Sequence, residues 1–367
     1  MSDPRLINFA RILVDYSTKI AAGDRVFIEA TTEALPAIRE VYKLVVERGG
    51  HPYIQMEFPE QQELFFEHIP EAEAAHKNQL MAYAYDNFEA RIRLWSETRL
   101  DALQNVDPKK QAAHSAANTS ILRAQMERGA REEFKWVTTL FPTQAYADQA
   151  SMSLAEYQDF YYKAVHAVAG DPVAHWLGVK ADQQRYIDAI QGHDKVQLRG
   201  PNVDLTLSIK GRTFRNSHGI HNMPDGEIFT GPVEDSLNGW VRYTYPALYE
   251  GHVVEGAELH FENGKVVKAT ARSEQDFLRA QLNVDPGASY VGEFAIGLNT
   301  DIDRFTGHIL LDEKIGGSFH MALGAGYPET GSQNKSAVHW DMICDLREDS
   351  EILVDGELVY KDGAFTI

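Results

Sequence analysis

The chain has 367 residues, 44% hydrophobic and 24% charged, values that allow about two globular domains, each with its own core. Its formal net charge of −19 argues against nucleic acid and anionic membranes as main partners, because both need basic patches. One cysteine, Cys344, leaves no internal disulfide framework and no all-cysteine zinc site. No apolar run nears the ~18 residues of a membrane span, and MSDPRLINFARILVDYSTKI holds no signal-peptide block, so a cytoplasmic protein is expected.

Residues 1–192 predict an α/β domain with a parallel sheet. GDRVFIEA (23–30) predicts a strand. LPAIREVYKLVVERGG (35–50) predicts a helix, with Ile38, Val41, Tyr42 and Val45 on one face and Gly49-Gly50 as the stop. HPYIQME (51–57) predicts the next strand and closes a βαβ unit, whose crossover is right-handed. ARIRLWSE (90–97) and FKWVTTLFP (134–142) extend the alternation. SLAE (153–156) has capping-box spacing and predicts a helix running to Val168, followed by another over 172–190.

Residues 193–367 predict a β-rich α+β domain, barrel-like, as the catalytic half. VDLTLSIK (203–210) alternates strictly, as a half-buried strand does. HFENGKVV (260–267) carries an Asn-Gly hairpin turn, and VDGELVYKDGAF (354–365) predicts short strands joined by Asp-Gly turns. SEQDFLRAQLN (273–283) reads as this half's helix.

The usual nucleotide and nucleophile signatures are missing. No G-x-G-x-x-G follows the first strand, and there is no G-x-x-x-x-G-K-[ST], H-E-x-x-H or G-x-S-x-G. What remains is a set of ionisable residues in apolar runs: Glu227 in PDGEIFTGP, Glu293 in YVGEFAIGLN, His320 in GGSFHMALGAGYP, and His339 with Asp341 in AVHWDMICD. Singly, each has a bland explanation as an edge charge or a hydrogen-bonded core histidine. Together they are three carboxylates and two imidazoles with no lysine or arginine inside the same runs; Lys335 lies nearest, in a polar turn. Buried carboxylates escape their desolvation cost by pairing or by binding metal. Imidazole and carboxylate suit zinc, cobalt or manganese, and five such ligands suit two divalent cations roughly 3.5–4 Å apart.

At these residues the sequence resembles the aminopeptidase T / aminopeptidase S family of metallo-aminopeptidases. PDGEIFTGP, VGEFAIGLN, DEKIGGSFHMALGAGYP and NKSAVHWDMICD carry the resemblance, with weaker support from GDRVFIEA and LFPTQAYADQA. It implies a two-domain enzyme that removes N-terminal amino acids from peptides with a free N-terminus, using a water activated by two metals. It places the ligands on Glu227, Glu293, His320, His339 and Asp341, and a tyrosine beside them on Tyr327. It also implies a homodimer with the site opening into an enclosed cavity. Glu293 is the expected bridging or general-base carboxylate, and Tyr327 the expected hydrogen-bond donor to the oxyanion. The competing readings are a different metal-dependent amide hydrolase (a dipeptidase or deacylase), a noncatalytic metal-binding protein, and a glycosidase with paired carboxylates. The two histidines count against the last of these.

Overall fold

A computed structural model describes residues 3–367. The chain divides into two compact units, residues 3–176 with 219–224, and residues 177–218 with 225–367. Among the described residues no helix is long and apolar enough to cross a membrane.

The first unit is built on a five-stranded parallel sheet. Its order is His51–Glu57, Arg25–Thr31, Ala90–Trp95, Lys135–Leu140 and Asn222–Met223. Parallel strands need long crossovers. Helix Leu35–Glu47 supplies the first, burying Ala37, Ile38, Val41 and Val45, while Tyr42 stays exposed. The capping box at Ser153 forms and opens helix Leu154–Ala164. That helix stops short of the expected Val168 because His166 takes a left-handed φ of 57°, which an α-helix does not accommodate.

Within this sheet, neighbouring strands put Glu29 between Arg91 (3.4 Å) and Arg93 (2.9 Å). Arg91 also donates to Tyr85 (3.1 Å) and Gln125 (2.8 Å). Arg91 and Glu29 are 2% and 6% exposed, so neither charge has water to fall back on. Glu29 keeps Arg93 if Arg91 is lost, whereas loss of Glu29 takes the carboxylate partner from the buried Arg91. Glu29→Met is therefore expected to lower stability by about 3–5 kcal/mol, read as a lower urea midpoint at unchanged slope.

The second unit has two main antiparallel sheets. One has eight strands, in the order Lys265–Thr270, Glu258–Glu262, Asn238–Arg242, Val203–Ser208, Lys195–Gly200, Glu351–Val354, Glu357–Lys361 and Ala364–Phe365. Its tight turns fall where the sequence marks them: Asn263-Gly264, Asp355-Gly356 and Asp362-Gly363 all have positive φ, as a type I′ hairpin demands. The other sheet has five strands, His339–Asp345, Ser318–Gly324, Val291–Gly297, Glu227–Thr230 and Arg215–Ser217. Alternation sorts this sheet into two faces. Ile228, Phe294, Ile296, Phe319, Met321, Leu323, Trp340, Met342 and Cys344 enter the apolar core. The residues between them share the opposite face.

Candidate metal centre

The register of the five-stranded sheet assembles that opposite face. Directly paired residues point the same way. His320 is flanked by Ala295 and Ile343, Ala322 by Glu293 and Asp341, Gly324 by His339, and Gly297 by Glu227. Alanines and glycines thus separate the ionisable residues and leave open space above the sheet between them. Gly324 has a φ of +93°, and a Cβ there would lie 2.1 Å from the Val338 carbonyl, so the strand next to His339 needs a glycine at that point.

All five expected residues come together. His320 Nε2 lies 3.7 Å from Glu227 Oε2 and 3.7 Å from Glu293 Oε1. His339 Nε2 lies 3.6 Å from Glu293 Oε2 and 3.6 Å from Asp341 Oδ1. Glu293 therefore turns one oxygen to each imidazole. These separations are too long for hydrogen bonds. They are close to the roughly 3.4 Å between two ligand atoms of one tetrahedral zinc. Tyr327 stands beside them, its ring edge-on to His339 at 5.4 Å and also 5.4 Å from Phe229.

The donor atoms suit a cation. Glu227 Oε2 and Asp341 Oδ1 are buried without a hydrogen-bond partner among the described residues. Both are atoms that face an imidazole. His339 Nδ1 lies 2.9 Å from the Ala325 carbonyl. A carbonyl only accepts, so Nδ1 carries a proton and Nε2 is the nitrogen left for a ligand role. Two triads, Glu293/His339/Asp341 and Glu313/His320/Asp341, each offer ligand atoms within 4.8 Å of one another.

Electrostatics points the same way. Burial pushes the Glu227 and Asp341 carboxyls well above the ordinary carboxylate range, against the pull of Lys314 on the first and His339 on the second. Burial works to lower the His320 pKa, but Glu293, Glu227 and Asp341 override it and raise it to about 9. Acids that resist ionising, beside an imidazole that keeps its proton, describe a cluster short of positive charge. Desolvation, with Glu293, Asp341, Glu313 and Glu227 nearby, also drives the Tyr327 hydroxyl up.

Three residues of the cluster escape the sequence reading. Asp225 and Lys314 are each 1% exposed, and Lys314 Nζ lies 2.6 Å from Glu227 Oε1, 2.5 Å from Glu313 Oε1 and 3.8 Å from Asp225 Oδ1. The expectation that no lysine serves these acids is thus corrected, and Lys314 rather than Lys335 is the lysine involved. Asp312, Glu313 and Lys314 form a short charged run that reads as solvated, and nothing in local periodicity marks it otherwise.

A buried set of carboxylates and imidazoles with orphaned ligand atoms, lodged on one face of an antiparallel sheet, suits the divalent cations on which metal-dependent hydrolases rely. A family model described as thermophilic metalloprotease (M29) matches residues 2–365, and the chain belongs to that family. It is therefore a metal-dependent peptide hydrolase. Aminopeptidase 2 of Geobacillus stearothermophilus is 26% identical over 98% of this chain and 95% of its own length. Aminopeptidase AmpS of Bacillus subtilis (strain 168) is 24% identical over 98% of both. The solved structure of AmpT from Thermus thermophilus superposes with a TM-score of 0.84 at 21% identity, over 99% of both chains, and shares the two-part fold.

Proposed function

We propose that the chain is an aminopeptidase that works with two divalent cations, zinc, cobalt or manganese, held by Glu227, Glu293, His320, His339 and Asp341, with Glu313 as a further ligand. The observation that carries this reading is Glu293, whose two oxygens face two different imidazoles at 3.7 and 3.6 Å. The aminopeptidase names of full-length relatives support the substrate class. Cations held there would supply a water deprotonated near neutrality, a Lewis acid for the scissile carbonyl and a ligand position for a free α-amino group.

The chain's own residues do the rest. Glu293 spans the cluster and is 4% exposed, a position that suits it either to bridge the two cations or to receive a proton from the attacking water. His339 directs Nδ1–H at the Ala325 carbonyl, which leaves Nε2 as the ring nitrogen turned toward a cation. Tyr327 keeps its proton, with its hydroxyl pKa driven up, and is therefore a donor available to a tetrahedral oxyanion. The homodimer and the cytoplasmic location implied by the sequence belong to the same proposal, the first open to sedimentation analysis.

Substrates with blocked and free termini separate this reading from a deacylase. Peptides with a free N-terminus are expected to be shortened one residue at a time. Their N-acetylated counterparts are expected to be untouched, as followed by mass spectrometry of the products. Release of the acetyl group, or cleavage of the blocked peptide, would sink the aminopeptidase assignment.

A further inference from the structure

Lys314 is not a flexible arm that happens to reach the acids. Its backbone N–H donates to the Leu311 carbonyl (3.0 Å) and its carbonyl accepts from Asn299 N–H (3.1 Å). Gly297, opposite Glu227 in the sheet, makes room for this segment, since a Cβ there would lie 2.3 Å from the Ile315 carbonyl. Asp225, the third acid at the ammonium, is itself held by Ser217 Oγ (3.0 Å) and Gly226 N–H (3.0 Å). The ammonium is thus a fixed charge built into the fold.

Its contacts fall on one side of the cluster. Lys314 Nζ takes Glu227 Oε1 and Glu313 Oε1. Glu227 offers its remaining oxygen to His320, and Glu313 groups with His320 in one of the two candidate triads. Asp341 belongs to both triads and Glu293 faces both imidazoles, so the acids that set the His320 position apart are Glu227 and Glu313, the two that Lys314 holds. A carboxylate that already shares its charge with an ammonium attracts a divalent cation less, and the cation also meets the ammonium's repulsion at short range in a poorly screened site. Against this, Lys314 orients Glu227, and orienting contacts of that kind are worth about 10–100-fold in metal affinity. Burial tips the balance, because repulsion is strongest where water is absent.

We propose that Lys314 makes the two metal positions unequal, so that the ion at His320, Glu227 and Glu313 is held far more loosely than the ion at His339, Asp341 and Glu293. This rests on the two-cation reading above and adds an order of loading to it. The second position then fills or empties with the free metal around the protein, while the first stays occupied.

Titration of the metal-free full-length protein with zinc, followed by calorimetry and by equilibrium dialysis with elemental analysis, tests it. Two binding steps at least about 100-fold apart are expected. At one equivalent of cobalt, anomalous scattering from crystals is expected beside His339 and not beside His320. Lys314→Met keeps the length of the stem and removes the charge. It is expected to tighten the weaker step at least about tenfold and to leave the stronger within about threefold. Loss of a merely structural lysine would loosen the site, so an unchanged or weakened second step in Lys314→Met overturns the proposal. Two indistinguishable steps in the unaltered protein, or cobalt at His320 first, overturn it as well. If that protein still shortens peptides, the aminopeptidase reading survives. No zinc binding at all overturns both. Should Lys314→Met fail to fold, the titration and the cobalt map of the unaltered protein decide the matter alone.

Discussion

Glu293→Gln is expected to lower kcat for amino acid p-nitroanilides by about 10³–10⁴-fold while leaving the far-ultraviolet circular dichroism unchanged. The amide keeps the shape of the side chain but cannot take a proton, and it is a poorer ligand on both sides of the cluster. The substitution sits on the central strand Val291–Gly297, where Ala295 and Phe294 hold the backbone through pairs on both flanks, so the fold does not depend on that charge. Tyr327→Phe is the informative contrast. It removes one donor and no ligand, so it is expected to lower kcat by about 10²–10³-fold with the metal content retained. A Glu293→Gln protein with undiminished turnover would remove the central residue of the mechanism.

Stripping the metal with a chelator is expected to bring hydrolysis down to the uncatalysed background, and added zinc, cobalt or manganese to restore it. Stability should move with activity. A ligand that binds only the folded state stabilises it by about 4 kcal/mol at a concentration 1,000 times its dissociation constant. The stripped protein is therefore expected to melt at a lower temperature, because Glu227, Glu293 and Asp341 are left buried around two imidazoles, with Lys314 paired to Glu227 alone of the three. Full activity in protein shown by elemental analysis to hold no metal would refute the mechanism outright.

The strands that carry the cluster were legible because charge at alternate positions of an apolar run is costly, and cost leaves a mark. HWDMICD shows this directly: His339, Asp341, Ile343 and Asp345 on one face, Trp340, Met342 and Cys344 on the other. The parallel sheet was legible from hydrophobic periodicity and from stops such as Gly49-Gly50. The capping box at Ser153 gave the start of its helix, but the end depended on His166 adopting a conformation that its residue type does not announce. Asn222–Met223 was invisible, since two residues have no period, and its place beside Lys135–Leu140 is a long-range fact. Glu313 and Lys314 were hidden for the opposite reason. They look like surface charge, and only the approach of their turn to Gly297 puts them inside.

His339 and His320 differ sharply in their access to solvent, with side chains 32% and 1% exposed. On the proposed reading, a small molecule meets the cluster first on its His339 side, where Tyr327 is also exposed. A chelating inhibitor is accordingly expected to engage the cation beside His339 before the one beside His320.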